Sequence, residues 1–163
     1  TDWERIFTNT PANIDSFNLV KLTPQYNNDN QLLLLAGISS GNSALWESTD
    51  NGQSFNPPHL TNDSITSTSF NIDIWAIVNE HTVFIGSFDP INNHGLLYCT
   101  TDSGLTYSAP TVVGNYSLGS ITLSPNYDQD KTILSVILMA VFIGLMIAES
   151  LSNHCRQMLP HHH

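Results

Sequence analysis

The sequence predicts a mainly β chain: two to three four-stranded antiparallel units of one repeated design, followed by one apolar C-terminal helix. Three observations carry that reading. The octet STDNGQSF at 48–55 returns as TTDSGLTY at 100–107. The flanks repeat with it: ALWESTDNGQSF (44–55) lies over LLYCTTDSGLTY (96–107), LLLLAGIS (32–39) over TVFIGSFD (82–89), and LVKLTPQYNNDNQLLL (19–34) over SITLSPNYDQDKTILS (120–135). From Ile133 to Ala148 no residue carries a charge, and there the repeat stops. Self-similarity at a fixed period is the mark of stacked-repeat folds.

Each unit reads as four short strands, because apolar runs rich in Val, Ile, Leu and aromatics alternate with Pro, Asn, Asp and Gly. The first unit, about 18–56, places strands near 18–23, 31–38, 43–48 and 53–56. The second, about 70–108, places them near 70–78, 81–87, 95–100 and 105–108, and a partial third covers 119–135. Four antiparallel strands in about 40–50 residues is the period of a β-propeller blade. The opening WERIF (3–7) reads as the outer strand of a preceding blade. NNDN (27–30) and DQD (128–130) have residue types that suit calcium. Both follow Thr-Pro or Ser-Pro at one repeat position, so a turn between the first two strands is the reading.

Composition limits the partners. Only 11% of residues are charged, against roughly 25% in an average soluble domain. Polar surface therefore comes from Asn, Ser, Thr and Gln, a style common outside the cytoplasm. With 14 Asp and Glu against 4 Lys and Arg the net charge is −10. Nucleic acid is excluded as a partner, since phosphate binding needs clustered cations. The two cysteines, Cys99 and Cys155, form no CxxC motif, so neither a zinc ribbon nor a redox dithiol is expected.

The octet has a physical logic. The Asp50 carboxylate can accept backbone N–H groups two or three residues on, as in an Asx turn. Gly52 supplies a positive φ, Ser48 and Ser54 satisfy the remaining polar groups, and Phe55 enters the sheet stack. Thr100, Asp102, Gly104, Thr106 and Tyr107 repeat these roles. The octets resemble Asp-box (BNR) repeats, known in sialidases and sortilin-type receptors, and the resemblance covers about residues 3–135. It implies a propeller in which Asp50 and Asp102 are architectural rather than catalytic. A sialidase, by the same resemblance, needs three arginines. This chain has two, Arg5 and Arg156, so a sialic acid substrate is not expected.

His59, His81 and His94 show no ligand spacing, and neither a metal nor another cofactor is expected. Trp46, Trp75 and Tyr98 suit inter-blade packing better than a sugar platform. Sequons stand at Asn62 and Asn115. The apolar run, extended to 132–151, approaches the about 20 residues that cross a bilayer and shows no polar stripe. A transmembrane helix is expected there, with Ala140 and Gly144 as a small-residue helix contact. It would put Cys99 and Cys155 on opposite sides of the membrane, unable to pair. The β domain would then be 1–131, and a polar tail of 152–163 would include His161, His162 and His163.

The reading that follows is a non-enzymatic, single-pass membrane accessory subunit. Its extracellular or periplasmic β domain would bind other membrane-protein subunits, and its helix the lipid bilayer. The alternative is a carbohydrate-binding or degenerate glycosidase-like propeller fragment with a glycan as partner.

Overall fold

The computed structural model describes residues 13–27 and 31–138, together with the backbone of 143–147. Three antiparallel sheets follow one another along the chain. The first is β1 (Ser16–Leu22), β2 (Leu33–Ser39), β3 (Asn42–Ser48) and β4 (His59–Leu60), in that spatial order. The second repeats it with β5 (Ile74–Ile77), β6 (Val83–Asp89), β7 (His94–Thr100) and β8 (Thr111–Gly114). The third holds β9 (Leu118–Leu123), β10 (Ile133–Leu138) and β11 (Ile143–Ile147), with a helical turn α1 (Tyr127–Asp130) between its first two strands.

Alternation of side chains along each strand builds two apolar layers. On β5, Trp75 and Ile77 point to one layer with Leu34, Ala36, Leu45, Val83, Ile85 and Tyr107. The intervening Ala76 points to the other, with Phe84, Leu97, Cys99, Ile121, Ile133 and Ile137. The middle sheet is thus covered on both faces, which is why its strands read as continuous apolar runs. Each fully buried Leu, Ile or Val in these layers contributes about 1.5–3 kcal/mol.

The repeat is visible in hydrogen-bond register. Leu45 pairs with His59 in the first sheet, and the equivalent Leu97 pairs with the equivalent Thr111 in the second. The hairpins between the second and third strands break the strict period. β3 begins at Asn42 and β7 at His94, but β2 begins at Leu33 and β6 at Val83, two positions short of the same step. Ser40 and Gly41, both at positive φ, close the hairpin in the first sheet, a two-residue turn whose twist matches the strands. Pro90 to Asn93 close it in the second and take up the difference. β1 and β9 share a bulge as well, with register shifts that set aside Asn18 and Gly119.

Several expectations change. The fourth strands begin at His59 and Thr111, not at 53 and 105, because residues 50–55 and 102–107 are consumed by the octet turns. The strand expected at 70–78 is confined to Ile74–Ile77. The helix expected over 132–151 is corrected: Ile133–Leu138 and Ile143–Ile147 are strands paired antiparallel with each other. Ile133, Ser135 and Ile137 are buried, and the residues between them are more open. Both faces of β10 are apolar, and periodicity cannot tell such a run from a buried helix. No helix among the described residues is long and apolar enough to cross a membrane. Gly144 sits in β11 opposite Ile137, so the expected Ala140–Gly144 helix contact is not formed there; Ala140 itself lies outside the described residues. WERIF, most of NNDN, Cys155 and His161 to His163 also lie outside them.

Candidate functional site

The two octets fold to the same hydrogen-bonded ring. In the first, Asp50 Oδ1 accepts the Ser54 N–H at 2.8 Å and the Ser48 hydroxyl at 2.9 Å, and Oδ2 accepts the Ser54 hydroxyl at 2.6 Å. Ser48 Oγ in turn accepts the Gly52 N–H at 2.8 Å. In the second, Asp102 Oδ1 accepts the Thr106 N–H at 2.9 Å and the Thr100 hydroxyl at 2.8 Å, Oδ2 accepts the Thr106 hydroxyl at 2.6 Å, and Thr100 Oγ1 accepts the Gly104 N–H at 2.9 Å. The carboxylate thus reaches four residues on, and the backbone N–H three residues on, of Gln53 or Leu105, also acts on it, as expected.

Two successive positive-φ residues make that reach geometrically accessible: Asn51 and Gly52 at 59° and 82°, Ser103 and Gly104 at 60° and 90°. Each box is strapped to its own sheet, since the Asn51 N–H donates to the Gln31 carbonyl and the Ser103 N–H to the His81 carbonyl. Hydrogen bonds from the Ser54 hydroxyl and N–H hold the Asp50 carboxyl down at about 2, against a weaker opposing effect of burial. At Asp102 burial pushes upward, and the bonds from Thr106 and Thr100 outweigh it, so the net direction is down. These carboxylates are ionised structural acceptors.

The other candidate residues follow their packing. Tyr107 is buried in the first apolar layer, and Phe55 packs beside Trp46 in a smaller cluster with Leu33 and Leu35. Trp75 is buried between the first and second sheets, as expected, whereas Trp46 is buried on the other face of the first sheet among residues of that unit alone, so the inter-blade expectation is corrected for it. His59 and His81 both address Ser103, through its carbonyl and its hydroxyl, each at 3.1 Å. Among the described residues no group of three or more His, Cys, Asp or Glu could hold a metal ion. Asn62 and Asn115, the sequon asparagines, are exposed. Cys99 is disulfide-bonded.

Sequence reasoning missed a cleft of about 520 Å³ at the opposite end of β7 from the second box. It lies between the β4–β5 connection and the β6–β7 hairpin, lined by Asp63, Ser87, Asp89, Tyr98, Phe88 and Ile91 among others. Thr61 anchors the connection, its hydroxyl donating to the carbonyls of Ser43 at 3.1 Å and Phe70 at 2.5 Å. Asp63 Oδ1 accepts the N–H groups of Ile65 and Thr66 at 2.7 and 2.8 Å. On the facing hairpin Asp89 accepts from the Asn92 amide and from the N–H groups of Ile91 and Asn92, which lowers its pKa. The one signal in the sequence is the lengthened hairpin, DPINNH against SSGN.

No protein-family model and no curated protein matches the chain. Among solved structures, a GH74 enzyme of Niastella koreensis matches with a TM-score of 0.56 and 17% identity over 83% of this chain. The chain spans 21% of the length of that enzyme's chain. At that identity the likeness is one of fold alone, and it agrees with antiparallel four-stranded sheets stacked like propeller blades.

Proposed function

We propose that the chain is a non-enzymatic interaction module, an accessory or scaffold unit of a larger extracytoplasmic assembly. The observation that carries this reading is the edge strand β1, on which Val20 and Leu22 are exposed. A sheet edge with exposed apolar side chains is a template for another chain unless something covers it. Leu138 on β10 and Val112 on β8 add to the apolar surface. The disulfide at Cys99 and the exposed sequon asparagines support an oxidising compartment. A membrane-spanning helix is no part of the reading, because the segment that suggested it is strand over 133–138 and 143–147.

The native mass of the protein, measured after gentle extraction from its source, tests the proposal. A discrete large assembly is the expected result; a monomer at physiological concentration would remove it. The second reading, carbohydrate binding, is favoured by the mixed polar and apolar lining of the cleft. Glycan binding by a chain that migrates as a monomer would replace the first reading with the second.

A further inference from the structure

We propose that the cleft beside Tyr98 receives a guanidinium group, an arginine side chain presented by the partner; this rests on the reading of the chain as an interaction module. The observation behind it is a carboxylate left half-paired. Asp63 is 5% exposed, yet both of its side-chain bonds fall on Oδ1, and no described residue bonds the other oxygen. That second oxygen is not among the atoms sealed from solvent, so at the cleft wall it stands as a spare acceptor for a cationic donor. Tyr98 offers a second spare acceptor: the residue is 4% exposed and borders the cleft, and its hydroxyl, not among the atoms sealed from solvent, has no hydrogen-bond partner among the described residues.

The lining decides the charge of the ligand. Asp63 and Asp89 border the cleft, and among the described residues no Lys, Arg or His does. Both carboxylates act on the Tyr98 hydroxyl, which, with burial as the larger cause, is pushed up to about 12. The phenol therefore stays protonated beside two negative charges, a field that attracts a cation and repels an anion. The whole chain, at −10, reinforces it.

The shape decides which cation. A guanidinium carries five donors in a planar fork, enough for two carboxylates and a phenol oxygen, where an ammonium offers three around a point. Phe88, Leu96 and Pro110 supply apolar wall for the arginine stem, and Ile91, 90% exposed, stands at the rim. The volume is within the range of ordinary ligand pockets, roughly 300–1,000 Å³, so the residues flanking the arginine have room as well.

The test uses the whole chain and a short blocked peptide with a central arginine, against the same peptide with citrulline, which keeps the shape and removes the charge. Saturable binding of the arginine peptide is expected, at least tenfold tighter than the citrulline peptide and weakened by raising salt from 50 to about 300 mM. Asp89→Asn and Tyr98→Phe should each weaken it several-fold while the circular dichroism spectrum is unchanged. Equal binding of the two peptides overturns the proposal, as does a neutral oligosaccharide that occupies the cleft while the arginine peptide does not. If the native assembly persists with both variants in place, the module reading stands and the cleft is not its contact.

Discussion

The two ends of β7 solve opposite problems with the same residue type. At its C-terminal end Asp102 has both oxygens occupied by Thr100 and Thr106, and the turn closes on itself. At the other end Asp63 and Asp89 also cap backbone N–H groups, but they do so around a cleft, and one oxygen of Asp63 is left over. A saturated carboxylate is architecture, whereas a buried one with spare capacity invites a ligand. The same difference separates the two tyrosines. Tyr107 is sealed in the core beneath its box, and Tyr98 stacks face to face on Phe70 at 3.7 Å with its hydroxyl beside the cleft.

The largest effect should come from reduction of the disulfide at Cys99, which lies on β7 next to the second box. Loss of a native disulfide in a small domain costs about 2–5 kcal/mol. A fall in melting temperature on adding dithiothreitol, and no free thiol titrated before it, are expected. The chain's only other cysteine is Cys155, outside the described residues. A fully titratable thiol at Cys99 would break the argument for an oxidising compartment.

Glycine substitution should separate the two boxes. A Cβ at Gly104 would sit 2.8 Å from the Tyr107 hydroxyl and 3.0 Å from Leu45, at a φ of +90°. At Gly52 the φ is similar, but the nearest atom is Leu33 Cδ2 at 3.4 Å. Backbone strain at such a φ costs about 1–2 kcal/mol in either place. Gly104→Ala adds a steric conflict on top, for about 3 kcal/mol in all. Denaturant melts of the two variants check this, and equal losses would show that the Leu45 and Tyr107 contact yields freely.

Acid should remove the stability that the two boxes contribute. Both box carboxyls are held below their ordinary value, so the stability they contribute is present above the unfolded pKa of about 3.9. It is lost as pH falls toward the folded value, about 2 for Asp50. A melting temperature that is flat from pH 7 to 5 and drops below 4 is the expected profile. Asp102→Asn should shrink that drop, because its contribution no longer titrates.

Much of this is legible in the sequence and some cannot be. The octets, their strands β3 and β7, and the roles of Asp50, Gly52, Asp102 and Gly104 follow from spacing, because a local turn is encoded by the residues that make it. The fourth strands start later than the sequence suggests, because Phe55 and Tyr107 carry strand-like side chains within the turn. The run at 133–148 reads as helix because β10 carries apolar residues on both its buried and its more open face, and periodicity cannot tell such a run from a helix. The cleft is invisible for a different reason. Asp63 precedes the second sheet and Asp89 ends its second strand, and only the return of the chain from β4 to β5 brings them to one opening.

The smallest effects belong to the two tyrosine hydroxyls, and they isolate the comparison best. The Tyr107 hydroxyl is buried with no hydrogen-bond partner among the described residues, and burial pushes its pKa well above the usual tyrosine value. Replacing it with hydrogen removes an unsatisfied group without opening more than a small gap. Tyr107→Phe should therefore be neutral or stabilising by about 1 kcal/mol. Tyr98→Phe keeps the stacked ring and removes a hydroxyl that bonds to nothing within the described residues, so stability should move by less than about 0.5 kcal/mol. Equal melting curves with a change in ligand binding at position 98 alone would locate function at the cleft end of β7. A Tyr98→Phe variant destabilised by more than about 1 kcal/mol would mean that the hydroxyl is a structural group, and the asymmetry between the two ends would disappear.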